Sequence, residues 1–202
     1  RASAFLDEHP HVAGVGGNLL NPDGSFQSGY VNFPTLWDEF LFVTHLGPIL
    51  NPAFPSHPPG QEIREVDWMS TAFMLFRREA LDQVDLVDED YFIYSDETDL
   101  QYRLKKAGWK IYYLPDLETI HFYGKSLTPW RRRKMMYRGK LLFFSKHYGR
   151  FKTSILRLTF GSMALLKTLA WALVSLVPSR RERAKHEQRS HVEVLQLCIR
   201  LE

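Results

Sequence analysis

Apolar and polar positions change period several times along the chain. Ala2 to Glu8 reads as the end of a helix stopped by Pro10, and Val12 to Val15 is a short apolar run suited to a buried strand. Asn21-Pro22-Asp23-Gly24, between apolar flanks, is a turn, because proline presets φ and glycine accepts positive φ. Residues 34–60 are rich in proline and aromatics and read as a long loop with a single helical turn. Ala72 to Phe76 is a second buried-strand candidate, and a short helix runs from Arg77 to Val84. From Asp96 to Ala107 the period is helical. Leu100 and Leu104 share a face, Gly108 ends the element, and Lys105 and Lys106 sit in its last turn, where cations suit the helix dipole. Lys110 to Leu114 then reads as a strand closed by Pro115, and Thr119 to Phe122 as another. Strands alternating with helices predict an α/β body.

The C-terminal third is different. Pro129 opens a basic amphipathic helix that reaches about Tyr148, and an apolar stretch from Ile155 to Val177 follows and stops at Pro178. Its length permits a bilayer span. Lys146, Arg150, Arg157, Thr168 and Ser175, however, fall in a narrow arc at roughly 100° per residue. A polar stripe on an apolar helix flanked by Arg and Lys predicts a helix lying in the membrane interface rather than crossing it. The expected organisation is therefore a body over 1–128, membrane-associated helices over 129–178 and a polar, charged tail over 179–202. There is no internal repeat or low-complexity tract.

Charge sharpens that division. The net charge of +3 combines nine Lys/Arg against nineteen Asp/Glu in residues 1–126 with thirteen Lys/Arg and no acid in 127–181. Such a split separates a catalytic or binding body from a segment that meets a polyanion. The single cysteine, Cys198, excludes a disulfide framework and a cysteine-based zinc site, and fits a reducing compartment. No signal peptide is expected after Arg1, and the start in mid-pattern reads as that of a fragment.

The candidate chemistry lies in Asp96-Glu97-Thr98-Asp99. On local grounds these carboxylates suit a helix start, with Asp96 as N-cap and Glu97 and Asp99 as first-turn charges. The aromatic run Tyr91-Phe92-Ile93-Tyr94 before them offers a partly apolar setting. Crowded carboxylates in such a setting raise one another's pKa, as a general base working near neutrality requires.

Val84-Asp85-Leu86-Val87-Asp88-Glu89-Asp90-Tyr91-Phe92-Ile93-Tyr94-Ser95-Asp96-Glu97-Thr98-Asp99-Leu100 resembles, without a gap, the family 2 glycosyltransferase pattern v-G-G-F-D-E-x-F-F-x-Y-x-E-D-x-D-L. The resemblance continues through Arg103 and Ala107-Gly108. It then reaches His121-Phe122-Tyr123-Gly124-Lys125-Ser126, which is similar to the family's H-x-x-G-x-S element. Gly16 to Gln27 and Val66 to Ala80 resemble the preceding segments, so that residues 4–148 are covered. The rhamnosyltransferase-like enzymes of bacterial cell-surface polysaccharide synthesis are the similar subgroup.

That resemblance implies a partial GT-A (nucleotide-diphospho-sugar transferase-like) fold with a C-terminal helical, membrane-associating extension. It also implies an inverting glycosyltransferase that uses a nucleotide-sugar donor, with Mg²⁺ or Mn²⁺ in the full-length enzyme. Glu97 takes the place of the family's base, and Asp96 is the reserve because the order here is D-E rather than E-D. Asp67, Trp68, Ser70, Thr71, Tyr94 and Asp99 are expected on the acceptor side, with Asp99 also supporting the helix start. Trp68 and Tyr94 are rings that stack on a sugar or serve the core. His121 and Ser126 are expected near the metal or diphosphate, a loop or core histidine being the plainer reading of His121. Ser70-Thr71-Ala72 stands where the family has G-A, so that wall differs. The family's early D-x-D and nucleotide-binding half have no counterpart before Asn18, so these residues alone are expected to be inactive. The expected partners are a lipid-linked glycan acceptor and an anionic membrane surface, with no nucleic acid, at the cytoplasmic face of the bacterial cell membrane. The rival readings are a non-catalytic membrane or nucleic-acid adaptor, acting through Arg131 to Lys134, and a catalytically dead relic.

Overall fold

The computed structural model describes residues 1–52, 54–122 and 128–199. In chain order the elements are α1 (Ala2–Glu8), β1 (Val12–Leu20), β2 (Phe26–Ser28), β3 (Tyr30–Val31), α2 (Leu36–Thr44) and α3 (Gly47–Leu50). They continue with β4 (Arg64–Val66), β5 (Trp68–Met69), β6 (Met74–Phe76), α4 (Arg78–Gln83), α5 (Asp96–Lys106) and β7 (Lys110–Ile120), and end with α6 (Pro129–His147), α7 (Gly149–Val174) and α8 (Arg181–Ile199). Two compact units result, one of Arg1–Pro34 and Gly47–Lys125, the other of Thr35–Leu46 and Ser126–Glu202.

The first unit is mixed α/β, consistent with part of the expected GT-A fold. β1 is its central strand, parallel to β7 on one side and antiparallel to β6 and β2 on the other, while β4 extends the sheet beyond β7. β3 and β5 form a separate antiparallel pair. Leu100 and Leu104 of α5 are buried with Ala13, Val66, Met69, Ile111 and Tyr113, so the helix periodicity in the sequence is the packing face. A second cluster joins Leu6 of α1 to Val12, Val15 and Leu114. Arg77 fastens this layer, its guanidinium donating to the carbonyls of Val12 (3.1 Å) and Leu6.

Pro115 does not end a strand. β7 runs through it, and the expected strand at Thr119 is the same element continued. The pairing of β1 with β7 shifts register between Gly16 and Asn18, which tolerates a residue without an N–H. The Asn18 amide donates to the Pro115 carbonyl at 3.2 Å and its oxygen accepts from the Tyr113 hydroxyl at 2.8 Å. A Cβ on Gly17 would stand 2.0 Å from the Leu117 carbonyl oxygen, so only glycine fits where β7 crosses at the shift.

The second unit is a helical bundle of α2, α6, α7 and α8. Residues 34–60 carry two helices rather than one turn in a loop. α2 begins with a reciprocal capping box in which Thr35 accepts from the Asp38 N–H and the Asp38 carboxylate accepts from the Thr35 N–H. The expected polar tail also differs, because Arg181–Ile199 forms α8, with Ala184, Ser190, His191 and Val194 buried against the bundle. α7 is long and apolar enough, by length and composition, to cross a membrane. Leu156, Phe160 and Ala164 are its buried face, and Phe160 meets Tyr137 of α6 edge-on at 4.6 Å.

Glu39 of α2 is 1% exposed and accepts from Lys140 of α6 at 2.5 Å. Burial raises its pKa, and the Lys140 ammonium opposes that rise. Removing only the cation leaves a buried acid without its counter-charge. Lys140→Met is expected to lower the unfolding free energy by about 3 kcal/mol, whereas Lys140→Met combined with Glu39→Gln recovers part of the loss. Urea denaturation followed by circular dichroism checks this, and equal losses in the two variants would refute it.

Candidate active site

The carboxylate pair stands where the backbone is held in an unusual conformation. Tyr94 and Ser95, immediately before α5, have φ of 66° and 65°, a left-handed pair that non-glycine residues rarely adopt. Non-glycine residues keep such conformations where the surroundings impose them, and functional sites are rich in them. Ser95 is the N-cap of α5 and makes no side-chain capping bond, so the reading of Asp96 as the cap gives way. Asp96 and Glu97 lie in the first turn, at the positive end of the helix dipole.

Glu97 is half-buried and hydrogen-bonded to Asp96. Burial first, then the hydrogen bond and the negative charge of Asp96, push its pKa up to about 8. Glu97 therefore exchanges its proton near neutrality, the condition expected of a group that takes and returns one.

Asp99 has a different task. It is fully buried, accepts from Arg103 Nε at 2.7 Å, and accepts from the Tyr91 hydroxyl at 3.2 Å. Burial and the Asp99 charge both raise the Tyr91 pKa, so the phenol stays protonated and donates. Arg103 extends the network by donating to the carbonyls of Val84 and of Leu86, the latter at 2.9 Å. Asp99 lies in the first turn of α5, where it was expected to support the helix start, and its carboxylate is engaged by Arg103 and Tyr91.

Gln101 was not singled out in the sequence. Fully buried, it accepts from the Met69 N–H at 2.9 Å and donates to the Met69 carbonyl at 2.7 Å, pairing with β5 as another strand would. The same amide donates to the Glu97 carbonyl at 3.0 Å, so one side chain ties the first turn of α5 to the strand that carries Trp68. Its spacing four residues after Glu97 was the available signal.

The other expected residues divide by occupation. Trp68 donates its indole N–H to the Asn32 carbonyl at 3.0 Å, and Asp67 accepts from the Phe33 N–H at 2.9 Å and pairs with Lys105 at 3.6 Å. Both residues thus hold the chain after β3. Ser70 caps a short 3₁₀ turn by accepting from the Ala72 N–H, Thr71 is exposed, and Tyr94 is half-buried. His121 follows β7, with Nδ1 2.7 Å from Gln27 Oε1, while Gln27 donates to the His121 carbonyl and to Asn21. α5 feeds β7 through a tight turn at Gly108, and its Leu100 and Leu104 pack against Ile111 and Tyr113 of that strand. Ser126 lies outside the described residues. Among the described residues, no three His, Cys, Asp or Glu side chains come together to hold a metal ion.

Residues 54–139 match the family model described as glycosyltransferase-like family 2. That segment contains the carboxylate pair, and both it and the relatives that follow make the chain similar to family 2 glycosyltransferases of the rhamnosyltransferase kind. It is 28% identical over 193 residues to the N-acetylglucosaminyl-diphospho-decaprenol L-rhamnosyltransferase of Mycobacterium tuberculosis strain H37Rv, an alignment covering 90% of this chain and 61% of that relative. It is 39% identical over 57 residues to the rhamnosyltransferase WbbL of Escherichia coli strain K12, covering 28% of this chain and 22% of the relative.

Asp85 and Leu86 occupy the two glycine positions of the family pattern, and they have φ of 58° and 59°. The fold keeps the backbone that glycine would favour and imposes it on residues with a Cβ. Leu86 is 43% exposed, so little packing would be lost with its side chain. Leu86→Gly is expected to raise stability by about 0.5–1 kcal/mol, relief of the left-handed strain exceeding the added entropy of the unfolded chain. Comparison of denaturation midpoints tests it, and a lowered midpoint would contradict it.

Proposed function

We propose that this chain supplies the acceptor side and the general base of an inverting glycosyltransferase. In this reading a sugar, rhamnose by similarity to the relatives, passes from a nucleotide-diphosphate donor to a hydroxyl of a lipid-linked or polysaccharide acceptor in cell-surface glycan synthesis. The carrying observation is Glu97, raised to about 8 by burial and by Asp96 at the start of a helix with a strained entry.

The chemistry follows from that placement. The acceptor hydroxyl gives its proton to the ionised Glu97 as its oxygen bonds to the anomeric carbon. The bond from that carbon to the donor's diphosphate oxygen breaks on the opposite face, so the configuration inverts and the nucleoside diphosphate leaves. Asp96 keeps the proton affinity of Glu97 high, and Gln101 fixes the turn that carries it. Trp68 and Tyr94 are the rings available to an acceptor sugar. A Mg²⁺ or Mn²⁺ ion would stabilise charge on the departing diphosphate.

The lipid-linked acceptor and the thirteen Lys/Arg of residues 127–181 support a peripheral location on the cytoplasmic face of the membrane, with an anionic surface as partner and no nucleic acid. The chain spans about three-fifths of the length of the mycobacterial relative, so activity is measured on the protein as encoded.

Glu97→Gln in that protein is expected to lower kcat by at least about 100-fold while leaving donor affinity unchanged. Transfer assays and donor titration read this, and turnover like the wild type would sink the assignment. Asp96→Asn removes the charge and hydrogen bond that raise Glu97, so its pKa falls. The acid limb of kcat/KM, set by ionisation of the base, should then move to lower pH with activity retained. Complete loss of activity in Asp96→Asn, with Glu97→Gln still active, would assign the base to Asp96.

A further inference from the structure

Among the described residues, α7 and the turn after it present an exposed apolar face. Phe151 is 79% exposed, Leu158 72%, Leu166 58%, Leu169 55% and Leu173 70%, and Leu176, in the turn after the helix, is 77% exposed. Their spacings of seven, eight, three, four and three residues keep them on one side at about 100° per residue. Leu156, Phe160 and Ala164 form the opposite, buried face, and Arg157, Thr168 and Ser175 lie near that side. Thr168 donates to the Ala164 carbonyl and Ser175 to the Ala172 carbonyl, so both hydroxyls are satisfied within the helix.

A helix flanked on one side by its own bundle and bare on the other is built to lie in a surface. Crossing a bilayer would carry the neighbouring helices with it. The Arg133–Glu187 pair that joins α6 to α8 at 2.9 Å would then enter hydrocarbon. Charge selects the surface. Residues 127–181 hold no Asp or Glu, so a second copy docking through the same face would bring like charges together. Lys152 and Arg150, both exposed at the start of α7, suit anionic head groups.

We propose that this face of α7 is the membrane-docking surface, lying in the plane of an anionic phospholipid leaflet with its apolar side chains about 5–10 Å into the head-group boundary. α6 and α8 stay on the aqueous side. The proposal rests on the peripheral location given above and specifies the side chains that achieve it.

Co-sedimentation of the full chain with vesicles of phosphatidylcholine and phosphatidylglycerol tests it. Binding is expected to weaken with added salt and to be stripped by alkaline carbonate. Leu158→Glu with Leu169→Glu should cut vesicle affinity by at least about tenfold, with helical content and melting temperature unchanged because both side chains are already in water. Leu156→Glu is the contrasting variant, expected to unfold the bundle. Sedimentation of the double variant like the wild type would overturn the proposal, as would retention in carbonate-washed membranes, which means a span. A dimer in solution that the same pair abolishes, without vesicle binding by the wild type, would make the face a contact between copies and also overturn it. Glu97→Gln should bind vesicles normally, so failure of the catalytic reading and failure of this one are told apart.

Discussion

The buried pair between Asp99 and Arg103 is the interaction on which the candidate site depends. An ion pair one turn apart on an exposed helix contributes little, but here the carboxylate is wholly buried and also accepts from Tyr91. Arg103 then holds the carbonyls of Val84 and Leu86, so two side chains fix the segment from the end of α4 to the start of α5 at both ends. The left-handed residues at 85–86 and 94–95 lie within or beside the span that this network closes. With that span fixed, Asp96 and Glu97 are directed away from capping duty and toward each other.

Gln101 complements the pair from the other side of the helix. Arg103 restrains the chain that precedes α5, whereas Gln101 binds the helix to β5 through both backbone groups of Met69. The resulting geometry owes more to buried polar contacts than to apolar packing. Such contacts are directional, and a base must be held within a fraction of an ångström of its target.

Much of this was legible in the sequence where the signal is local. The face shared by Leu100 and Leu104, the Asn21–Gly24 turn and the proline that opens α6 all depend on neighbours within a few residues, and the structure has each of them. The carboxylate pair was legible through its setting in a long motif rather than through its own spelling. Other features depended on distant contacts. β7 passes through Pro115 because β1 shifts register opposite it, and nothing near residue 115 announces that. The buried task of Asp99 needed Tyr91, eight residues away, and the role of Gln101 needed Met69, thirty-two residues away. α2 is a separate case. Thr35 and Asp38 spell a capping box, but Pro34 and the surrounding aromatics masked it. In α7 the polar stripe was legible, whereas the covering of its flank by α6 and α8 was not.

The left-handed conformations at Tyr94 and Ser95 bear on when the site exists. An isolated chain disfavours two consecutive residues of this kind, so the unfolded ensemble contains almost none of the geometry that presents Glu97. The conformation is imposed from outside, once α5 has docked on β5 and Arg103 has engaged the turn at Leu86. The geometry of the carboxylate pair therefore requires the tertiary contacts of α5 to be in place. A local opening that released α5 from β5 would remove this geometry while leaving the pairing of β1 with β7 in place, so the site can be lost without loss of the sheet.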